Sequence, residues 1–572
     1  MFGLVDFLRW LAAHLRLAIR ALLRGILPQP RAEVLQLRLE GSFSEGLAPP
    51  VRFGFLLDHR QYLLQVLESL ERASRDPRLA AIWITIDRLE AGWSVLQTLR
   101  GAILDARRSG KRVIVFLEEA GNGTAYLASA ADVVAMAPPG SLHLTGLRAE
   151  VLFLRGALDR ARVEPEIVRL GEYKSAAEPF TRTSLSSEAR EALESILDDL
   201  YDQFVAALAE GRGLSPERVR DLIDRGPYRA PAAKEAGLVD EVCYEDEIEE
   251  KLGGFLGRPG SKPGVIPADR WLRIARRVAP PPGTRVPAPR MALLVAEGFI
   301  RSGRAGSLWA SRAVASTSFV EALRQARDDP RVSAIVLRVD SPGGSGLASD
   351  VIWRELRLAR EKKPLVVSMG DVAASGGYYL AMGADWIVAE PATLTGSIGV
   401  IAGKVNLRGL YDLLGLSKEA IDRGERAGAH SDYRPFTKAE KMKLEEDIQA
   451  TYEDFVAKAA TCRNLPPEEI DKAARGRVWT GRQALGLRLV DELGGIRAAI
   501  AAAKRRAGIP FGQPVRLEIF PRPVPSPFNL LMRNPLRAIP RAARDALALA
   551  NAGGSLRQGE PLALWPLSVK IR

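Results

Sequence analysis

The chain repeats itself. Asp76-Pro-Arg-Leu-Ala-Ala-Ile-Trp-Ile-Thr-Ile-Asp87 returns 253 positions later as Asp329-Pro-Arg-Val-Ser-Ala-Ile-Val-Leu-Arg-Val-Asp340. At the same offset, Tyr126-Leu-Ala-Ser-Ala-Ala-Asp132 returns as Tyr379-Leu-Ala-Met-Gly-Ala-Asp385, and Gly171-Glu-Tyr-Lys174 lies opposite Gly424-Glu-Arg-Ala427. With small gaps, Ala236-Gly-Leu-Val-Asp-Glu241 matches Leu485-Gly-Leu-Arg-Leu-Val-Asp-Glu492. One unit is therefore used twice, which restricts the chain to folds that work in tandem. The copies are placed at residues 31–257 and 290–510. The full 572 residues suit two to four domains and exceed a single core.

Between the copies, residues 258–289 carry Pro259, Pro263, Pro267, Pro280, Pro281, Pro282, Pro287 and Pro289. Proline at this density opposes helix and strand pairing and predicts a semi-rigid linker. The tail, 511–572, is again rich in proline and arginine, with Pro521, Pro523, Pro525 and Pro527 ahead of Asn529-Leu-Leu-Met-Arg-Asn-Pro. It is read either as an extended segment packing across a neighbouring subunit or as a second surface anchor.

Residues 1–30 form a separate element. Arg9, Arg16, Arg20 and Arg24 interrupt an otherwise apolar run and fall on one helical face, with Leu8, Leu11, Leu15, Ala18, Ile19 and Leu22 covering much of the rest. The arginines disfavour a spanning helix. The pattern suits a helix in the membrane interface with guanidinium groups towards lipid phosphates; the alternative is an amphipathic helix packed on the protein itself. It lacks the small-residue cleavage pattern of a secretory signal, so it is expected to stay in the mature chain.

The net charge of +12 allows nucleic acid or an anionic membrane as partner. Aromatics are only 6%, with no aromatic-rich basic motif, so no nucleic-acid partner is expected. Two cysteines, Cys243 and Cys462, exclude a disulfide scaffold, and four histidines leave little for a metal centre. No metal and no cofactor is expected.

Inside each copy, short β-branched runs alternate with helical patterns. Residues 334–340 and 365–369 read as strands, 349–361 and 376–382 as helices, and 386–389 as a further strand. Such alternation predicts an α/β domain with largely parallel strands, where ligands bind at loops leaving strand carboxyl ends. Two loops of that kind are glycine-rich, Asp340-Ser-Pro-Gly-Gly-Ser-Gly346 and Gly370-Asp-Val-Ala-Ala-Ser-Gly-Gly-Tyr-Tyr379. The first is not a phosphate loop, since no Gly-Lys-Ser/Thr follows, and it lacks the spacing of a dinucleotide fingerprint.

These loops, followed by Leu394-Thr-Gly-Ser-Ile-Gly-Val400 and preceded by Gly171-Glu-Tyr-Lys-Ser-Ala-Ala-Glu-Pro-Phe180, resemble the signal peptide peptidase A family (SppA) in its long, duplicated form. The resemblance spans roughly residues 33–510. It implies two tandem Clp/crotonase-like domains built of ββα spiral units. It further implies a membrane-associated serine endopeptidase with a Ser–Lys dyad, acting on signal peptides left after export. Carried over residue by residue, the nucleophile is Ser375, the general base Lys174, and the serine that positions the lysine Ser397. Gly343 and Gly344 form the oxyanion hole, with the Gly376 amide as second donor. Family members sit at the bacterial inner membrane with the catalytic part on the periplasmic side, and form ring- or bowl-shaped homo-oligomers. They usually carry a spanning helix near the N-terminus, from which residues 1–30 depart.

The residues themselves agree with that chemistry. A serine hydroxyl needs a base, and no histidine lies near Ser375 in sequence. Lysine serves only as the neutral amine, and deprotonating an ordinary lysine at pH 7 costs about 4–5 kcal/mol. Burial removes that penalty by destabilising the ammonium form. The duplication supplies a check: Ser375 corresponds to Asn122, Lys174 to Ala427 and Ser397 to Leu144. Each copy holds half a dyad, which predicts a single site where the copies meet, within one chain or between chains.

Other readings are weaker. Ser375 and Ser397 as turn serines, Lys174 as an exposed loop lysine, and the glycines as plain loop residues each fit one motif but not the set. Tyr378 and Tyr379 are read as core, His143 as packing, and His430 as a loop residue rather than a rival base. A non-catalytic membrane scaffold on the same fold is the alternative function. A crotonase-like acyl-CoA enzyme explains neither Lys174 nor the N-terminal segment.

Overall fold

The structure, a computed structural model, describes residues 32–45, 61–278, 288–305, 313–510, 512–521, 562–564 and 570–571. The N-terminal segment read as an interfacial helix lies outside them.

Two eight-stranded sheets are built to one plan. In the first, the strand order is Val265–Pro267, Val34–Ser44, Ala81–Glu90, Arg112–Gly121, Val133–His143, Tyr228–Arg229. In the second it is Arg516–Phe520, Arg290–Glu297, Val332–Ser341, Leu365–Ala374, Leu394–Gly396, Val478–Thr480. The central pairings are parallel in both. The strand Arg290–Glu297 is buried on both faces, which is why its residues 291–296 read as a continuous apolar run rather than an alternating one. The predicted strands and helices of the second copy all form, most of them longer than the apolar run alone marks: the helix at 349–361 is Gly346–Arg360, begun by Ser345, whose Oγ accepts the Ala348 N–H at 3.0 Å.

The duplication extends to helix ends. Ser187–Arg212 and Lys438–Arg463 are both 26 residues long. Ser186 and Thr437 cap their N-termini through side-chain oxygens, and Gly213 and Asn464 close them in left-handed conformation.

The two repeats do not stand apart. One apolar cluster contains Ile82, Val113 and Leu99 of the first together with Val336, Val366, Val388 and Ile496 of the second. Each such buried side chain contributes about 1.5–3 kcal/mol. Polar ties cross the same boundary: Thr98 Oγ1 donates to Glu390 Oε1 at 2.6 Å, and the buried Arg338 donates to both carboxylate oxygens of Glu45 at 3.0 and 2.8 Å.

Part of the segment read as a proline-rich linker belongs to the first repeat. Val265–Pro267 pairs in parallel with the strand at 34–36, and Ala268–Val278 is a helix. Its prolines fall at permissive places: Pro267 ends an edge strand, where a missing N–H costs no ladder bond. The tail also folds back on its own chain, because Arg516–Phe520 is the outer strand of the second sheet.

A third, six-stranded sheet joins the copies. Its order is Ala313–Ala315, Phe299–Arg301, Gly343–Ser345, Leu562–Leu564, Val400–Asn406, Glu164–Leu170. The last two are antiparallel, Val400 opposite Leu170 through Asn406 opposite Glu164. This pairing brings the end of a first-repeat strand, and the loop after it, against the second repeat.

Candidate active site

Lys174 lies four residues beyond the strand Glu164–Leu170, in a loop held on both sides. The Tyr173 N–H donates to the Arg475 carbonyl at 3.0 Å. The buried Glu178 carboxylate accepts from Arg169 Nη1 at 2.8 Å, Ser186 Oγ at 2.6 Å and the Ser186 N–H at 3.0 Å. Gly476, at φ 82°, passes so close that a Cβ there would stand 2.5 Å from Lys174 N. Only glycine combines that conformation with that approach.

Ser375 sits at the turn between the strand Leu365–Ala374 and the helix Gly376–Ala381, at φ 57° and ψ −113°. This conformation costs a non-glycine residue about 1–3 kcal/mol and persists because its surroundings enforce it. Here the Ser375 N–H donates to the Gly396 carbonyl at 2.8 Å and its carbonyl accepts from the Tyr379 N–H at 2.8 Å. Ser397, likewise at positive φ (54°), is held by its N–H to the Arg477 carbonyl at 2.7 Å.

The structure brings these three residues together within one chain. Lys174 Nζ lies 2.6 Å from Ser375 Oγ, 2.9 Å from the Ser397 carbonyl and 3.0 Å from Ser397 Oγ. All three residues are at most 1% exposed. Burial drives the lysine pKa well below its usual value. A neutral amine has two N–H donors and one lone pair, and three partners match that count: the two Ser397 oxygens take the N–H bonds and the Ser375 hydroxyl donates to the lone pair.

The glycines stand beside the serine. A Cβ on Gly376 would meet Gly343 Cα at 3.0 Å and Gly344 N at 3.2 Å, so the two glycine loops touch. Gly344, at φ 154°, packs against the Ile300 carbonyl, which a Cβ would approach to 2.0 Å. The Gly343 N–H is engaged by Ser341 Oγ at 3.2 Å. A small apolar pocket of about 30 Å³ opens beside the lysine loop, lined by Val151, Phe153, Pro179, Leu185, Leu193 and Val478 among others.

The chain matches peptidase family S49 twice, over residues 105–253 and 357–510. It belongs to that family. Chloroplastic serine protease SPPA of Arabidopsis thaliana is 35% identical over 495 residues, covering 86% of this chain and 72% of that protein. Protease 4 of Haemophilus influenzae is 31% identical over 454 residues, 77% of this chain and 72% of that protein. Protease 4 of Salmonella typhi is 31% identical over 455 residues, with coverages of 78% and 72%. This S49 peptidase is accordingly a serine protease, built of two tandem α/β domains with largely parallel sheets.

Sequence reasoning missed Glu178 and Gly476. Glu178 was visible inside the lysine motif as a carboxylate between alanine and proline, a position that burial makes costly unless paired. Gly476 carries no local signal, since its constraint comes from a loop about 300 residues away. Tyr378 and Tyr379 are core residues and His430 is exposed, as read. His143 is not packing: it is exposed and lines a cleft of the first repeat with Glu118 and Glu119, because the strand Val133–His143 ends there.

Proposed function

We propose that this S49 peptidase is a membrane-associated endopeptidase that uses Ser375 and Lys174 to cut apolar, extended peptides, signal peptides among them. The observation that carries this reading is an amine stripped of water 2.6 Å from a serine hydroxyl. Lys174 takes the Oγ proton as Oγ attacks the peptide carbonyl. The Gly344 and Gly376 amides receive the oxyanion, a contribution of about 2.7–4 kcal/mol for one such donor. The lysine ammonium then protonates the leaving amine, and a water deprotonated by the same lysine hydrolyses the acyl-serine. Ser397 keeps the amine aimed. The pocket beside Tyr173 and Pro179 supports an apolar side-chain preference.

Membrane association rests on residues 1–30; among the described residues no helix is long and apolar enough to cross a bilayer. The reading places the enzyme at the bacterial inner membrane with the catalytic part on the periplasmic side. A homo-oligomer is part of it. The strand Glu164–Leu170 pairs with second-repeat strand Val400–Asn406, yet its own second-repeat counterpart, residues 417–423, is exposed and forms no strand. Its partner by the same rule is the first-repeat stretch 147–153 of another copy.

The test is hydrolysis of an apolar fluorogenic peptide, with fluorophosphonate labelling of the serine. Turnover and labelling are expected in the wild type and neither in Ser375→Ala. Wild-type rates in Ser375→Ala or Lys174→Ala end the assignment.

A further inference from the structure

The first repeat has a cleft of its own, about 980 Å³ in volume. At the 253-residue offset, its walls match the positions that build the serine side of the active site in the second repeat. Residues 87–91 stand where 340–344 carry the oxyanion glycines, and residues 121–124 where 374–377 carry the nucleophile. His143 lies opposite Gly121 in the first sheet, as Gly396 lies opposite Ala374 in the second. The nucleophile is missing from this twin. Asn122 stands in its place, and its side chain is engaged by a neighbouring loop, donating to the Gly146 carbonyl at 2.8 Å and accepting the Thr145 N–H at 3.1 Å. What remains is a groove of the peptide-binding shape without the serine.

This groove is acidic, on a chain whose net charge is +12. Asp87, Glu118, Glu119, Glu245 and Asp246 line it, against Arg88 and His143 among the described residues. Glu245 is engaged by Arg38 Nη2 at 2.7 Å and Thr85 Oγ1 at 2.8 Å. Among the described residues, Glu118, Glu119 and Asp246 are exposed and enter no hydrogen bond or ion pair. Like charges left together on a concave wall concentrate the potential and favour a cationic occupant. Trp93, Leu96 and Phe116 add apolar wall suited to the aliphatic stems of lysine and arginine. The groove also adjoins the catalytic site. Gly92, between the wall residues Ala91 and Trp93, packs on Asp371, to whose Oδ2 a Cβ there would come within 2.0 Å. Asp371 precedes Ser375 by at most about 13 Å of strand. An export signal joins a positively charged start to an apolar segment. The pocket beside the lysine loop, lined chiefly by apolar side chains, suits the second part. We propose that the first-repeat cleft binds the basic end of the substrate peptide while its apolar segment lies at Ser375. The proposal deepens the peptidase reading above and rests on it. About ten extended residues reach ~33 Å, enough to touch both places.

The experiment uses the full chain and two fluorogenic peptides that share one apolar run and differ only in their start, Lys-Lys-Arg or Gln-Gln-Gln. The basic peptide is expected to show a KM about tenfold lower than the neutral one, the combined effect of several exposed ion pairs. Its kcat should be equal, because the contact is the same in ground and transition states. Glu118→Gln with Glu119→Gln and Asp246→Asn, all at exposed positions, should raise KM for the basic peptide alone and erase the difference. Salt at about 0.5 M should narrow it in the wild type. Glu118→Lys with Glu119→Lys should make the basic peptide the poorer substrate, a reversal that a merely structural role of these side chains would not produce. A second readout needs no turnover. In a Ser375→Ala background, fluorescence anisotropy with the same two peptides should give the same tenfold preference, lost on adding the triple substitution. Equal KM and equal affinity for the two peptides in the wild-type cleft would overturn the proposal, and so would a preference that survives the triple substitution. If Ser375→Ala retains turnover, the peptidase reading fails, while the anisotropy comparison still decides whether the acidic cleft takes the basic segment.

Discussion

Lys174 Nζ and Ser375 Oγ are 2.6 Å apart although 201 positions separate the two residues in the chain. Each repeat supplies one of them, so neither repeat has a complete site. Ser375→Ala and Lys174→Ala should each lower kcat/KM by about 10⁴-fold, and the double variant should be no worse than either, because the two act as a unit. Lys174→Arg should be equally inactive, since a guanidinium stays protonated and has no lone pair to offer. Ser397→Ala removes one of three contacts and should cost about 10–100-fold. Steady-state kinetics on folded variants, checked by circular dichroism, measure all five.

Much of this arrangement was legible before any coordinates. The constant offset aligned Ser375 with Asn122 and Lys174 with Ala427, and the only way to complete a dyad from such halves is to join the repeats. The strand Leu365–Ala374 was legible only over its largely apolar first half, 365–369; Gly370 and Asp371 hid the rest, since Asp371 is satisfied by the Ser94 N–H across the seam. Contacts set by distant backbone were not legible. Nothing near Gly476 announces that Lys174 passes against it, and three tail residues carry too little pattern to reveal a strand at 562–564. The segment around Val265–Pro267 was obscured by prolines that an edge strand tolerates.

The depressed lysine pKa fixes the direction of two pH effects. Activity requires the free amine, so kcat/KM should rise with pH through the lowered lysine value and then level off. Stability follows by linkage. The folded state binds fewer protons at this site than the unfolded chain, so the lysine penalises folding most at low pH, and the penalty fades as pH rises towards the ordinary lysine value. Lys174→Met should therefore be inactive yet more stable than the wild type. Its advantage should grow by about 1.4 kcal/mol per pH unit on descending from pH ~10 to the lowered value. Denaturant titrations of both proteins at several pH values measure the difference.

Asp371 tests the seam between the repeats. Its Oδ1 accepts the N–H groups of Ser94 at 3.0 Å and Val95 at 3.3 Å, and a Cβ on Gly92 would reach within 2.0 Å of its Oδ2. Burial foremost, then the neighbouring Asp340 and Glu45 carboxylates, raise its pKa, against the pull of Arg338. A raised carboxyl stabilises the fold fully below the unfolded value near 4 and loses that contribution as pH climbs through the raised one. Asp371→Asn keeps an oxygen for both amides and cannot ionise, so its melting temperature should gain on the wild type between pH 5 and pH 8. Gly92→Ala should destabilise by about 1–3 kcal/mol at either pH through overpacking. A wild-type advantage that widens towards pH 8 would refute the account.

The exposed counterpart stretch, residues 417–423, predicts how copies assemble. Within the chain, residues 164–170 of the first repeat pair with residues 400–406 of the second. Applying the same relation between chains would set residues 417–423 of one copy against residues 147–153 of the next, a head-to-tail contact. Each side exposes large apolar side chains among charged ones: Ile421 is 82% exposed, the nearby Leu414 62%, and Leu152 on the other side 67%. The wild type should therefore sediment well above its single-chain mass of 62.3 kDa. Leu414→Glu with Ile421→Glu should bring it down to that mass without lowering the melting temperature of the monomer, since neither side chain is in the core. A wild type that runs as a single chain at micromolar concentration would sink the head-to-tail contact.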